Sequence, residues 1–144
     1  MTVPIWPDEL NQWMMAPDFS AAPSDARLKS PMDVGPGKSR RRVSAASAPV
    51  SGSLHCDQNQ VARLLRFWHE DTAGGTLAFM FPDQLFDGAM LLTEAGEPLL
   101  TEADEQILLE GWWLVQFASE GPPAIRPIRR STAHVANIQL NVLP

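Results

Sequence analysis

At 144 residues, 44% hydrophobic and with 13 Pro and 9 Gly, the chain has material for one sizeable core with extensions and many turns, and hardly for two cores. Its 17 Asp and Glu outnumber 11 Lys and Arg, a net charge of −6, so the surface as a whole is not built to seek DNA or an anionic membrane. No apolar run approaches a bilayer span, no charged and apolar leader precedes a cleavage site, and Cys56 is a lone cysteine, which predicts a chain that is not membrane-inserted or conventionally exported and excludes an internal disulfide or a cysteine metal cage.

Residues 1–37 carry six prolines and an isolated apolar cluster, Ile5, Trp6, Leu10, Trp13, Met14 and Met15. Such a mixture cannot make its own core and reads as an arm. Trp6 and Trp13 must dock somewhere, since a buried aromatic removes roughly 150–250 Å² from water. The surface they dock on is either this chain's own or that of a neighbouring copy, which makes both tryptophans interface candidates. Residues 38–144 then form a single β-rich domain.

At the boundary stands "MDVGPGKSRRR", residues 32–42. A phosphate-binding loop needs a glycine five residues before the glycine of Gly37-Lys38-Ser39, and Met32 holds that place. It must also open a helix, whereas the following "RRRVSAASAPVSGSLHC" is poor in helix formers and broken at Pro49 and Gly52. Two strands fit better, over 40–47 and 50–56. In the second, Val50, Gly52, Leu54 and Cys56 share one face.

The period then changes. In "DQNQVARLLRFWHEDTAGG", Val61, Leu64, Leu65 and Trp68 recur at helical spacing, Asp57 and Gln60 resemble a capping box, and Gly74-Gly75 supplies the stop. This predicts one helix over about 58–71. "TLAFMFPD" alternates as a strand ended by Pro82, "GWWLVQFA" at 111–118 is apolar on both faces and reads as a central strand, and "IRPIRR" reads as an edge strand because of Pro127. "AHVANIQLNVLP" closes the domain with Ile138, Leu140 and Val142 on one face. The fold class is therefore mainly β, a β-sandwich or split barrel with one helix covering an opening.

Between 83 and 110, eight carboxylates (Asp83, Asp87, Glu94, Glu97, Glu102, Asp104, Glu105 and Glu110) meet no Lys or Arg, and "LLTEA" occurs at 91–95 and again at 99–103. Two copies are too few for a solenoid, so the segment reads as an acidic insertion, a solvated hairpin or loop between core strands. Its carboxylates lack the spacing and glycine of a calcium loop.

No catalytic constellation is visible. His55, His69 and His134 form no metal motif, no serine sits in a nucleophile elbow, and His55 and Cys56 point to opposite faces of a strand. No cofactor is implied. The dense positive patch is Lys38, Arg40, Arg41 and Arg42, with Arg126, Arg129 and Arg130 a smaller one. As a nucleic-acid module it lacks interleaved aromatics, and on a strand Arg41 faces away from Arg40 and Arg42. Pairing of the arginines with the acidic insertion, represented by Glu94 and Glu102, in the same or a neighbouring chain accounts for both charge clusters at once.

A Gly-containing segment leading into a basic strand, a small polar strand, the helix "VARLLRFWHED", a Gly-Gly turn, "TLAFMFPD" and a closing "HVANIQLNVLP" together resemble the minor tail protein of lambdoid siphophages and the N-terminal domain of distal tail proteins. The resemblance covers about residues 30–144, and the "LLTE" duplication is similar to sequence common in phage structural proteins. It implies a non-enzymatic virion protein at the tail tip, made in the host cytoplasm, forming a hexameric ring between tail tube and baseplate hub. The tail tube protein, the baseplate hub and the tape-measure protein would be its partners, with no membrane and no specific nucleic acid. The acidic stretch is longer than the family's loop. Alternatives are a tail-completion or terminator ring, and a small nucleic-acid-binding module using residues 38–42.

Overall fold

The computed structural model describes residues 2–130 and 132–144. In chain order, a short β1 (Ser20–Ala21) and a hairpin of β2 (Arg27–Ser30) with β3 (Lys38–Arg41) lead to the long β4 (Ala48–Cys56) and helix α1 (Gln58–Arg66). Then follow β5 (Phe79–Pro82), β6 (Trp112–Phe117), β7 (Ala124–Arg129) and β8 (Ala133–Val142). The protein is mainly β with one helix, as its sequence predicts. One six-stranded antiparallel sheet runs β1-β4-β8-β6-β5, and β7 also pairs with β8.

The long β8 organises this sheet. One flank pairs with β4 along its length, Ala48 opposite Val142 through Cys56 opposite His134. The other flank is shared: its first half holds β7 and its last residues hold β6, with Phe117 opposite Leu140. The sheet therefore splits along β8. β7 is an edge strand whose register shifts between Pro127 and Arg129, as a residue without an N–H requires.

The helix keeps the bounds its sequence signals. The Gln60 N–H donates to Asp57 Oδ1 (2.8 Å) and the Asp57 N–H to Gln60 Oε1 (2.9 Å), a complete capping box. After Arg66 the helix widens, so that the Thr72 N–H reaches the Phe67 carbonyl five residues back (3.0 Å). Gly75 follows with φ +82°, and a Cβ there would run into the Trp68 ring. The buried face differs from the expected one in two residues: Phe67, like Leu64, is 0% exposed, while Leu65 is 44% exposed. Leu65 lies about 100° round the helix from Leu64, on the flank of the buried stripe.

Of the two docking surfaces the sequence leaves open, the first twenty-odd residues take this chain's own and form an integral layer of the domain. Ile5 bridges Met80 in parallel, and the Trp6 N–H donates to the Met80 carbonyl (2.8 Å). Trp6, Leu10 and Met14 are buried among Leu64, Phe67, Phe79 and Phe81. Trp6 meets Phe67 and Phe81 edge to face at 5.4 and 5.0 Å, and Phe67 meets Phe79 at 5.1 Å, the geometry in which positive ring edges approach negative faces. Met14 lies against Gly52, where any Cβ would strike the Met14 side chain. The arm also covers the outer face of β4: the Met15 N–H donates to the Ser53 carbonyl (2.8 Å), and the Ser53 hydroxyl donates to Asp18 (2.7 Å), which is why this polar residue is fully buried.

Two strand expectations change as well. Residues 42–47 are not a strand; the basic strand is Lys38–Arg41, and it pairs with Arg27–Ser30 instead of joining the main sheet. β6 is central in order, yet only one face is covered. Trp113, Val115 and Phe117 belong to or pack on the core, while Trp112 and Leu114 stay exposed.

Candidate interaction site

Two appendages stand outside this core, and they carry most of the charge that the sequence singles out. The first is the β2–β3 hairpin. Its register places Arg27 opposite Arg41, Leu28 opposite Arg40 and Ser30 opposite Lys38, and the Arg42 N–H extends the ladder to the Ala26 carbonyl (2.7 Å). Opposed residues share a face and the face alternates along each strand. Arg27, Arg41 and Lys29 therefore occupy one side, Arg40 and Lys38 the other.

Opposed like charges repel, and the Arg27 side is internally relieved. Asp25 accepts from the Arg27 guanidinium at 2.8 and 3.0 Å, contacts that hold its carboxyl well below the usual carboxylate range. Arg41 donates to the carbonyls of Val43 (3.1 Å) and Ser44 (2.7 Å). Lys38, Arg40 and Arg42 have no carboxylate partner among the described residues. The loop between the strands exposes Met32 and Val34, the latter 88% exposed.

The second appendage is the acidic insertion, and it is more ordered than a solvated loop. Its backbone closes a cycle. The Leu91 N–H donates to the Ile107 carbonyl (2.9 Å), Ile107 to Leu99 (3.0 Å), and Leu99 back to Leu91 (2.8 Å). These residues are spaced eight apart, the period of "LLTEAGEP", "LLTEADEQ" and "ILLE". Three arms radiate from the cycle. Leu92 bridges Pro98, Leu100 bridges Gln106, and Met90 bridges Leu108 in the stem that returns to β5 and β6.

The two free arms repeat in detail. The Thr93 N–H donates to the Glu97 carbonyl and the Thr101 N–H to the Glu105 carbonyl, both at 2.8 Å. Thr93 Oγ1 accepts from the Glu97 N–H, and Thr101 Oγ1 accepts from the Glu105 N–H. Glu94 and Glu102 hold equivalent places on these arms. Exposure follows the same threefold pattern: Leu91, Leu99 and Ile107 are 36, 37 and 37% exposed, and Leu92, Leu100 and Leu108 are 51, 48 and 57% exposed. The duplication visible in the sequence is thus two-thirds of a three-armed unit, whose third arm is disguised by lacking the "TEA" turn.

Of the candidate residues, Trp6 lies in the chain's own core and is not available to a neighbour, which decides between its two possible docking surfaces. Trp13 remains half exposed. Arg40 and Arg41 lie on opposite sides of the hairpin, with Arg42 at its base. Glu94 and Glu102 stand at equivalent places on the two free arms of the three-armed unit. No ion pair joins hairpin and insertion among the described residues. The sequence reading passed over Arg27, Lys29, Met32 and Val34, although "RLKS" and "KSRR" on either side of the Gly35-Pro36-Gly37 turn carry the signal of a hairpin.

An apolar groove of about 370 Å³ runs between the two appendages' roots, lined by Ala21, Pro23, Val50, Leu85, Trp113 and Val142. It carries no titratable group. His55 is exposed on β4 opposite Val135, one residue along from His134 at the start of β8, and His69 is exposed at the end of the helix. Among the described residues no cluster of His, Cys, Asp or Glu has metal-holding geometry, and no helix is long and apolar enough to cross a membrane. Cys56 is buried, and that burial, with Asp57 beside it, pushes the thiol pKa up, away from nucleophilic use. No protein-family model matches the sequence, and no curated protein matches it.

Proposed function

We propose that this chain is a non-enzymatic structural protein of a tailed-phage virion, a distal or minor tail protein whose copies close into a ring joining tail tube to baseplate or tail tip. The observation that carries the reading is the apolar surface left uncovered between residues 85 and 114. Leu85, Phe86, Leu92, Leu100, Leu108 and Trp112 are each more than two-fifths exposed. Soluble monomers rarely leave so much large apolar surface in one stretch of chain, whereas subunits of assemblies bury it against each other. The order of elements from the basic strand to the closing strand supports the tail-protein resemblance on which the ring, its hexameric size and its tail-tube, hub and tape-measure partners rest. Closed rings also leave no sheet edge open to uncontrolled pairing, and β1, β7 and the Ile5 segment are edges here.

The competing reading, a small nucleic-acid-binding module, is favoured by the exposed basic hairpin. Against it stand the absence of any aromatic between Arg27 and Arg42 on which a base could stack, and the acidic balance of the chain. Sedimentation velocity and negative-stain imaging of the purified protein separate the two. Rings support the tail reading, and monomers that retain labelled duplex DNA at physiological salt would replace it.

A further inference from the structure

We infer that the ring is joined head to tail by one contact: the basic β2–β3 hairpin of each copy seats on the acidic three-armed unit of the next. This deepens the ring reading above and rests on it.

Both partners are incomplete alone. A two-stranded hairpin in water is marginal, and among the described residues the strands of this one pair only with each other. On one side Arg27 and Arg41 are relieved internally through Asp25 and the carbonyls of Val43 and Ser44, whereas Lys38 and Arg40, with Arg42 at the base, have no carboxylate partner among the described residues. The three-armed unit has the opposite deficit. Asp83, Asp87 and Glu110 are occupied by hydrogen bonds near its stem, but Glu94, Glu97, Glu102 and Glu105 on the arms have no cationic partner among the described residues.

Apolar surface matches as well as charge. The hairpin tip presents Met32 and Val34, and the unit presents Leu92, Leu100 and Leu108 within its rim of carboxylates. An apolar centre surrounded by charge is the arrangement of protein interfaces, with opposite rims steering the encounter. Hairpin and unit are different surfaces, so the contact is heterologous. Each copy offers one of each, and repetition closes a ring when the rotation between copies divides a full turn.

The test uses the full chain and sedimentation velocity over a range of protein and salt concentrations. One variant reverses the hairpin (Lys38→Glu, Arg40→Glu, Arg42→Glu), another reverses the arms (Glu94→Lys, Glu102→Lys, Glu105→Lys), and a third combines both sets. All six positions are exposed, and circular dichroism checks that the fold is kept; Gln replacements serve where a reversal loses the native spectrum. The expected result is loss of the assembled species in each single set, its return in the combined chain, and weakening of the unaltered assembly by salt. Assembly that survives hairpin reversal, or that fails to return in the combined chain, overturns this joint while leaving the ring reading in place. An unaltered protein that stays monomeric at every concentration overturns both. Retention of labelled duplex DNA that the hairpin reversal abolishes without touching assembly assigns the hairpin to nucleic acid instead.

Discussion

Gly96 and Asp104 occupy the same point of two successive arms, eight residues apart, and both have left-handed backbones, with φ of +81° and +60°. Each N–H donates to the carbonyl of the threonine three residues back, Thr93 at 2.9 Å and Thr101 at 3.0 Å. Glycine enters this conformation without penalty, and aspartate is among the few other residues that tolerate it. Gly96→Ala should therefore destabilise the first arm by about 1 kcal/mol, while Asp104→Gly should leave the second within about 0.5 kcal/mol of its present stability. Amide hydrogen exchange at Glu97 and Glu105 reads each arm separately. Equal protection in the Gly96→Ala chain and the unaltered one would refute the equivalence.

The helix supplies a contrast between neighbours. Leu64 is fully buried and Leu65 is not, so Leu64→Ala should cost about 2–5 kcal/mol in urea unfolding. Leu65→Asp should cost no more than about 1 kcal/mol, because its charge stays in water. Helical periodicity alone places both on the buried stripe and makes Leu65→Asp an unfolding change. A larger loss for Leu65→Asp than for Leu64→Ala would restore that reading.

Trp6 sits where three phenylalanines converge. Trp6→Ala should lower stability by about 3–5 kcal/mol, and deletion of residues 1–20 should abolish the cooperative thermal transition, since it removes Leu10, Met14 and the cover over Ser53 as well. A truncated chain that melts cooperatively and merely fails to associate would mean that the segment is a detachable arm after all. Trp13, half exposed, gives the internal comparison: Trp13→Ala should change the melting temperature little.

Burial raises the Cys56 thiol pKa, with the neighbouring Asp57 carboxylate adding to the effect. Raising it favours the neutral thiol, so the thiolate should be scarce at neutral pH and should appear only at more alkaline pH than in an unfolded cysteine. A thiol reagent such as dithionitrobenzoate should react with native protein at pH 7 far more slowly than with protein in guanidinium. Equal rates would show that β4 opens on the time scale of the reaction.

What is local was legible in the sequence, and what depends on a distant partner was not. The capping box of Asp57 and Gln60, the 58–71 helix, the alternation of Phe79 and Phe81, the edge strand around Pro127 and the inward face of Ile138 and Leu140 all follow from spacing within a few residues, where the backbone's own hydrogen bonds and the side-chain period decide the outcome. Trp6 illustrates the limit. Its apolar character demands burial, but whether the surface is its own β5 or another copy depends on a contact seventy-four residues away, between Trp6 and Met80. Lys38–Arg41 likewise has the composition of a strand and no means of choosing its partner by itself: it could join β4 or turn back on Arg27–Ser30, and only the loop closed by Gly35 and Pro36 settles the pairing. The "LLTEA" duplication announces a repeat, yet the cycle through Leu91, Leu99 and Ile107 exists because the third strand segment, without the motif, supplies the remaining hydrogen bonds. Charge could be counted in the sequence, eight carboxylates here and four basic residues there. Only the tertiary structure shows that the two clusters stand on separate appendages, with no ion pair between them among the described residues, because relative position in space is set by the packing of the core that carries their roots.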